Sequence, residues 1–242
     1  MKILSFDVGI KNLAYCIIDI NKDTHTILEW KIINCAEELM NARLKCCVLR
    51  RGKVCDKIAI NKVIVNDEKI LGFCELKTCQ KELHIHPKKK IKKIKKFKIK
   101  NVGLDIIGTN IYEAIKKISF LNEIDIILIE NQPVLKNPTM KSVQMLLYGG
   151  FICEKCNNNY KYTLKLFNAS RKLQIYTGPE IDISHIKNKY TQRKFLSIKY
   201  TQYFIKDMEN WLKIFEDNKK KDDLADSYLQ GLTYYKKTFN NI

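Results

Sequence analysis

Four acidic residues that are far apart in the chain have the types and spacing expected of a divalent metal site. Asp7 and Glu130 each follow a short apolar run, and Asp223 and Asp226 lie three residues apart, on one face of a predicted helix. Carboxylate oxygens are hard ligands that suit Mg²⁺ or Mn²⁺. Two such ions about 4 Å apart can activate a water molecule and stabilise the leaving oxygen of a phosphodiester. The set therefore predicts phosphodiester hydrolysis, on condition that the fold brings the four side chains together.

Each of these acids also has a purely structural interpretation, which stays open at the level of the sequence. An Asp-x-Gly segment such as the one at Asp7 commonly just opens a turn. If Asp222 caps the final helix, Asp222 and Asp223 are favoured there by the helix macrodipole alone. Asp226 lies further into the helix and gains less from the dipole. Two like charges on one helical face destabilise the helix unless a cation lies between them.

The elements that must position these acids are predicted to form an α/β sheet. Three strands, over 2–8, 12–20 and 26–34, form a meander with a turn at Asn21-Lys22-Asp23. The apolar run 125–130 has the pattern of a strand buried on both faces. A helix and such a strand after a meander favour a sheet with helices packed on it. The other predicted elements are a short helix over 36–45, an amphipathic helix over 103–122, a helix that begins at Asn137-Pro138, a strand over 160–167, a loop over 168–186 and helices over 190–204 and 222–237.

The composition indicates a globular protein with a polyanionic partner. The chain has 242 residues, of which 45% are hydrophobic, enough for one large domain or a domain with an insert. It has no apolar run of about 18 residues and no secretory signal pattern, so we expect an intracellular protein without a membrane partner. The formal charge of +18 favours nucleic acid, although acidic proteins or membrane surfaces could also satisfy it.

The segment 46–100 differs from the rest of the chain in its cysteines and histidines. It holds five of the nine Cys and two of the four His. Four of the thiols follow the spacing Cys47-x7-Cys55-x18-Cys74-x4-Cys79, which lacks the tight Cys-x2-Cys knuckle of most zinc sites. Because disulfides are rare inside cells, a structural Zn²⁺ on these four residues is one prediction. A set of buried Cys without metal is the alternative.

The end of this segment is a lysine run, KKKIKKIKKFKIK over 88–100, with nine Lys in thirteen residues. Ile91, Ile94 and Phe97 recur every three residues and are predicted to anchor a helix or a strand whose lysines face outward. A solvated linker or a localisation signal is the alternative interpretation. We predict contact with nucleic-acid phosphates, since flexible lysines bind phosphate without reading sequence, through Lys88, Lys89, Lys90, Lys92, Lys93, Lys95 and Lys96.

Three segments, in this order, resemble the poxvirus-type Holliday junction resolvases, which belong to the RuvC branch of the RNase H-like nucleases. They are Phe6-Asp7-Val8-Gly9-Ile10-Lys11-Asn12, Ile129-Glu130-Asn131-Gln132-Pro133 and Asp222-Asp223-Leu224-Ala225-Asp226-Ser227. The resemblance implies one RNase H-like nuclease domain over 1–242, with a mixed sheet of about five strands flanked by helices. The Cys-rich and Lys-rich segment 46–100 would be an insert between the third strand and the first helix.

The same resemblance implies roles for particular residues. Asp7, Glu130, Asp223 and Asp226 would be catalytic and would hold two Mg²⁺ or Mn²⁺ ions, whereas Asp222 is the less fitting ligand. Lys194, in Gln192-Arg193-Lys194-Phe195, is similar to a basic residue that the family carries before the last helix, and would steady the phosphate or the attacking water. Lys172, in Ser170-Arg171-Lys172-Leu173, is similar to a second basic position and would contact DNA.

The activity that the resemblance implies is metal-dependent, structure-selective cleavage of four-way DNA junctions in viral recombination and concatemer resolution. Resolution needs two symmetric cuts, so the family works as a homodimer on branched double-stranded DNA. Helix 138–154, with Met140, Val143 and Leu147, is the predicted interface, unless that helix is buried within its own subunit. The resemblance also indicates a large DNA virus and a site of viral DNA replication in the host cell, in the cytoplasm or the nucleus.

Three other functions stay open. A different RNase H-like nuclease would act on flaps or on RNA–DNA hybrids. A non-catalytic, zinc-containing DNA-binding protein would leave the four acids unexplained. An ATP-binding protein of the actin and sugar-kinase fold shares the first Asp-x-Gly, but it needs a second Gly-rich phosphate loop, and none is evident among the 9 Gly of the chain.

Overall fold

The computed structural model describes residues 1–22, 24–37, 42–66, 69–98, 101–135 and 137–239. It divides the chain into two compact units, one formed by 1–35 with 102–242 and the other by 36–101. We call them the sheet unit and the insert unit. The predicted insert, 46–100, falls within the insert unit. Among the described helices, none is both long enough and apolar enough to cross a membrane.

Each unit contains both strands and helices. In chain order the strands are β1 (Lys2–Asp7), β2 (Leu13–Asn21), β3 (Thr24–Ile33), β4 (Leu49–Arg50), β5 (Lys53–Val54), β6 (Asn61–Ile64), β7 (Ile70–Phe73), β8 (Ile91–Lys93), β9 (Ile126–Glu130) and β10 (Thr163–Phe167). The α-helices are α1 (Lys77–Leu83), α2 (Leu104–Ile115), α3 (Pro138–Asn158), α4 (Lys189–Phe204), α5 (Glu209–Asp217) and α6 (Lys221–Phe239).

The sheet unit is built on one mixed sheet with the strand order β10-β9-β1-β2-β3. β1 pairs antiparallel with β2, and β2 antiparallel with β3. On its other side β1 runs parallel to β9, which runs parallel to β10. The predicted mixed sheet of about five strands flanked by helices is confirmed.

β1 lies in the middle of the sheet because its side chains are apolar on both faces. Ile3, Leu4 and Phe6 are completely buried. The Phe6 ring contacts the Phe151 ring of α3 at 5.4 Å between centroids on one face. On the other face Gly231 of α6 lies so close to the sheet that a Cβ there would be 3.1 Å from Ile18 Cδ1. Helices therefore cover both faces, and burial of apolar surface holds them there.

Several element boundaries differ from the predicted ones for local reasons. α2 ends at Ile115 instead of continuing to 122, and Phe120 adopts a left-handed conformation (φ 62°) before a short 3-10 helix. α5 is absent from the predicted elements, although its Phe215 is fully buried and stacks on Trp30 with centroids 5.2 Å apart. The predicted helix over 36–45 and the predicted turn at Asp23 fall partly or wholly outside the described residues.

The insert unit has its own small sheet and a hairpin. The sheet has the order β7-β6-β8, and the hairpin pairs β4 with β5. Val63, Phe73 and Leu83 form a small apolar core, against which Ile91 packs. The lysine run forms a 3-10 helix over Lys88–Lys90 and then β8, which pairs with β6. The predicted strand is therefore confirmed over Ile91–Lys93, whereas residues 94–98 have no regular secondary structure.

Candidate active site

The topology brings two acids together at one edge of the sheet. Phe6 of β1 lies opposite Ile129 of β9 in the parallel pairing, so the next residues, Asp7 and Glu130, are neighbours. The turn after Asp7 is tight because a Cβ on Gly9 would lie 2.5 Å from the Asn12 carbonyl oxygen. This is the edge at which parallel strands of α/β sheets end and at which their sites form.

Helix α6 brings the second pair of acids to the same edge. Trp30 Nε1 of β3 donates a hydrogen bond to the Leu224 carbonyl at 3.0 Å, and Gln230 Nε2 donates to the Phe6 carbonyl at 3.2 Å. These two bonds fix the helix beside the end of β1. Asp226 lies between the two bonded residues, Asp223 directly precedes Leu224, and both acids line the site. The helix begins at Lys221, so Asp222 lies in its first turn and is not the predicted cap.

The four predicted carboxylates line a single open groove of about 760 Å³, which we call the acidic groove. Its walls come from the ends of the sheet strands, the 3-10 helix over 169–175 and helices α4 and α6. The structure therefore brings the four acids together, while their role as metal ligands stays a prediction. The residues that line the groove are Asp7, Glu130, Asn131, Gln132, Pro133, Asn168, Lys172, Leu173, Tyr190, Arg193, Lys194, Asp222, Asp223 and Asp226.

Three acids of the groove, Asp7, Asp223 and Asp226, resist ionisation chiefly because they are buried. Burial raises the pKa of Asp7 well above its usual range, and the negative charges of Glu130 and Asp226 raise it further. Burial also raises the pKa of Asp226, and burial together with the charge of Asp222 raises the pKa of Asp223. A cation in the groove would remove this repulsion.

Two lysines predicted from the family resemblance lie in the groove and form ion pairs. Lys172 pairs with Asp226, and Lys194 pairs with Asp222. Burial acts to lower the pKa of Lys172, but Asp226 and Asp7 outweigh it and raise that pKa. The hydrogen bond to Asp222 raises the pKa of Lys194, and Lys194 in turn outweighs burial and lowers the pKa of Asp222. Asp222 is thus engaged with a lysine at the rim.

Two carboxylate oxygens in the groove fit a divalent cation. Asp223 Oδ2 and Asp226 Oδ1 are buried and have no hydrogen-bond partner among the described residues. An unpaired buried carboxylate oxygen is costly, and a metal ion is one of the few partners that satisfy it. Together with Asp7 and Glu130, these acids form an all-oxygen donor set of the kind that Mg²⁺ and Mn²⁺ prefer.

A second layer of amide side chains supports Glu130. Gln132 Nε2 donates to Glu130 Oε2 at 2.8 Å, and the Gln132 backbone N–H donates to Gln144 Oε1 at 2.8 Å. Gln144 is completely buried in α3, and Lys141 Nζ also donates to its Oε1. Neither glutamine has a role predicted from the sequence. The signal that could have indicated a role for Gln144 is its position as a polar residue on the apolar side of a helix.

Another groove residue that the sequence analysis missed is Tyr190. Lys194 Nζ lies 4.9 Å from the centre of the Tyr190 ring, at the start of α4. The neighbouring Arg193 also lines the groove. In the sequence, a role for Tyr190 and Arg193 in the groove is indicated only by their position within about one helical turn of Lys194.

The predicted dimer interface on α3 is corrected in part. Val143 and Leu147 are completely buried, in the core of their own subunit, and so are unsuited to an interface. Met140 is half-buried. The alternative interpretation, a helix packed within its own subunit, is correct for this side of α3, because the helix must cover the sheet beside Phe6.

The cysteine cluster forms with one change in its members. The sulfur atoms of Cys46, Cys55, Cys74 and Cys79 all lie within 4.8 Å of one another. The predicted member Cys47 is wrong, since its side chain is exposed and its thiol donates to the Gly72 carbonyl at 3.3 Å. Neighbouring residues of an extended chain point in opposite directions, so only one of Cys46 and Cys47 can face the cluster.

The predicted DNA-contacting lysines of the insert unit are exposed, apart from Lys89, whose side chain lies outside the described part of the structure. Ile91, Ile94 and Phe97 between them are half-buried, as the pattern predicts. The exposed members are Lys88, Lys90, Lys92, Lys93, Lys95 and Lys96.

Comparison with known proteins gives remote similarities. No protein-family description matches the chain. A mimivirus protein of Acanthamoeba polyphaga mimivirus, "Uncharacterized protein L451", is 28% identical over 311 aligned positions, which cover 97% of this chain and 74% of that protein.

Solved structures that align with the chain include two resolvases and RuvC. The fowlpox virus resolvase in complex with Holliday junction DNA has a TM-score of 0.49 at 14% identity, over 99% of both chains. The yeast mitochondrial Holliday junction resolvase Ydc2 has 0.48 at 16% identity, over 99% of this chain and 85% of that one. Thermus thermophilus RuvC has 0.48 at 8% identity, over 98% and 96%. Similarities of this size do not by themselves assign an activity.

Proposed function

We propose that the protein is a divalent-metal-dependent endonuclease that resolves four-way DNA junctions. The observation that carries the proposal is the convergence of Asp7, Glu130, Asp223 and Asp226, from three distant segments, on one groove with two lysines. The structural interpretation, in which one Asp opens a turn and others begin a helix, does not require these acids to lie beside one another. Burying four like charges together is unfavourable unless a cation joins them.

The four acids would hold the metal, two ions of Mg²⁺ or Mn²⁺ in our proposal. When bound, such ions supply Lewis acidity for phosphodiester hydrolysis. Asp223 and Asp226 offer the two oxygen atoms that have no other partner. Gln132 fixes the orientation of Glu130 through a 2.8 Å hydrogen bond, which holds that carboxylate in position to bind a metal ion.

The two groove lysines have different duties. Lys172 is partly buried against Asp226 and favours the ionised form of this carboxylate, because it acts to lower the pKa that burial raises. Lys194 is more exposed, at the rim, and its partner Asp222 is expected to yield it to an incoming phosphate. We propose that Lys194 holds the phosphate that is cut, and that Asp222 does not bind metal.

The substrate follows from charge and from the groove's openness. A net charge of +18 suits the phosphates of a branched duplex, and the open groove admits a DNA backbone. The exposed lysines of the insert unit would add contacts that do not read sequence. We further propose that two copies act together, one for each symmetric cut, at the place where viral DNA is replicated in the host cell.

A panel of labelled substrates tests the substrate assignment. With Mg²⁺ present, the protein is expected to cut a synthetic four-way junction in paired, symmetric positions and to leave a linear duplex of the same sequence uncut. A flap substrate and an RNA–DNA hybrid are the matched alternatives. Preference for either of these would replace the junction assignment with another nuclease activity, and binding without any cut would reject catalysis.

A further inference from the structure

The insert unit contains a second cluster of metal-ligand type, made of sulfur instead of oxygen. Cys46, Cys55, Cys74 and Cys79 bring their four sulfur atoms within 4.8 Å of one another. Three of the four residues are buried, and Cys55 is half-buried. Thiolates select soft or borderline metals such as zinc, whereas the acidic groove suits Mg²⁺, so the two clusters would bind different ions.

The hairpin β4–β5 supplies the first two thiols. The Cys46 N–H donates to the Lys57 carbonyl at 2.7 Å, and the Asp56 N–H donates back to the Cys46 carbonyl at 3.1 Å. The two-residue loop Arg51-Gly52 has positive φ at both positions, 49° and 76°, which matches the tight turn that joins antiparallel strands. The base of this hairpin therefore holds Cys46 and Cys55 side by side.

The connection from β7 to α1 supplies the other two thiols. Cys74 directly follows β7, and Cys79 lies in the first turn of α1. Gln80 Nε2 donates to the Cys74 carbonyl and so ties the helix to the end of the strand. Two cysteines from a hairpin and two from a strand–helix corner thus meet, although their spacing in sequence is irregular.

The distances fit a tetrahedral ion. Zinc–sulfur bonds of about 2.3 Å require sulfur–sulfur separations of about 3.8 Å in a regular tetrahedron. The Cys55 and Cys74 sulfur atoms are 3.7 Å apart.

The insert unit also needs an additional source of stability. Apart from Val63, Phe73 and Leu83 with their neighbours, its second buried cluster consists of the cysteines themselves. Units of about 40 to 70 residues bury little apolar surface, and a disulfide or a bound metal often adds to their stability. We propose that Cys46, Cys55, Cys74 and Cys79 bind one structural Zn²⁺, which joins the β4–β5 hairpin to the β7–α1 corner and is required for the insert unit to fold.

Adjacent cysteines provide a matched pair of variants. Cys46→Ser removes a proposed ligand, whereas Cys47→Ser changes an exposed thiol one residue away. Elemental analysis of the full chain, purified under reducing conditions, should give roughly one zinc per chain for the native protein and for Cys47→Ser. Cys46→Ser should lose most of it. Equal zinc in both variants, zinc lost only from Cys47→Ser, or iron in place of zinc would overturn the proposal.

A second experiment separates metal loss from simple misfolding of a variant. The native full chain is stripped with a chelator and reductant, and the protease resistance of 36–101 is followed by mass spectrometry. We expect the resistance to be lost and then restored by Zn²⁺ but not by Mg²⁺. In a separate sample of the full chain, purified without reductant and denatured in chelator alone, all nine thiols should react. Unchanged resistance after stripping, or fewer reactive thiols because of disulfides, would contradict the zinc assignment.

Discussion

Asp7 and Glu130 stand side by side because Phe6 and Ile129, the residues before them, are paired in adjacent parallel strands. Burial is the main cause that raises the pKa of Asp7, and the negative charge of Glu130 raises it further. The fold thus places Glu130 where its charge opposes the ionisation of Asp7. Without a cation this arrangement lowers the stability of the protein, and with one it forms a metal site.

The first prediction concerns the stability of the metal-free protein. Because the pKa of Asp7 is higher in the folded chain than in the unfolded one, the folded state holds the extra proton, and stability falls as the pH rises from about 4 through the raised pKa. Asp7→Asn removes this loss. We therefore expect Asp7→Asn to have a higher Tm than the native protein in chelator at neutral pH. The increase should be about 2–4 °C for each kcal/mol of unfolding free energy that the substitution restores.

The control for this prediction is the same comparison at low pH. Near pH 4 Asp7 is protonated and resembles Asn, so the Tm difference should vanish there. Mg²⁺ should raise the Tm of the native protein more than that of Asp7→Asn. A difference that stays constant from pH 4 to pH 8 would show that ionisation of Asp7 is not its cause.

The second prediction concerns Lys172, which pairs with Asp226. Because Lys172 lowers the pKa of Asp226 against burial, Lys172→Met should move the acidic limb of the cleavage pH profile to higher pH. We expect a loss of activity at neutral pH of about 10- to 100-fold, partly recovered in alkaline buffer. Lys165→Met is the control, since Lys165 bonds to Tyr234 and lies outside the groove residues. An unshifted profile in Lys172→Met would remove Lys172 from this role.

The third prediction concerns Gln144, a positioning residue that acts on Glu130 through Gln132. Gln144→Leu keeps the size of the side chain but leaves the Gln132 N–H without its acceptor. We expect the Mg²⁺ concentration needed for half-maximal cleavage to rise by about tenfold, while junction affinity in chelator stays the same. Ser142→Ala, two residues away, should change neither quantity. Weaker junction binding in Gln144→Leu would indicate general damage to the fold.

The fourth prediction concerns the lysine run of the insert unit. If the run and its neighbours neutralise about eight phosphates, the logarithm of the junction affinity should fall with the logarithm of salt concentration at a slope near −7. Replacing Lys92, Lys93, Lys95 and Lys96 with Gln should reduce the magnitude of this slope by about 3.5. A native slope near −2, or an unchanged slope in the variant, would exclude the run from the DNA interface.

The sheet and the acids could be predicted because their signals are local and follow a set order along the chain. Ile3, Leu4 and Phe6 precede Asp7, an apolar run over 126–129 precedes Glu130, and the Asp223–Asp226 spacing fits one face of a helix. Gln144 could not be assigned, because its role depends on a contact with Gln132 across a turn. Sequence alone shows a polar residue there but not its partner.

The errors arise where pairing across the chain overrides local pattern. Cys46 and Cys47 are equivalent in sequence, and only the hairpin bonds of Cys46 with Lys57 decide which one faces the cluster. α5 escaped prediction although it is strongly amphipathic, and its place is set by the stacking of Phe215 on Trp30. Such contacts join residues that are far apart in the chain, so a local stretch of sequence does not predict them.

The role of Asp7 in a catalytic metal site is tested by comparing how the native protein and Asp7→Asn cleave a synthetic four-way junction, with and without Mg²⁺. We expect paired nicks that need both Mg²⁺ and Asp7. The variant should bind the junction as tightly as the native protein or more tightly, because Asn removes a negative charge from the groove. Cleavage that survives in Asp7→Asn, or that proceeds at full rate in chelator, would contradict the metal site at the end of β1.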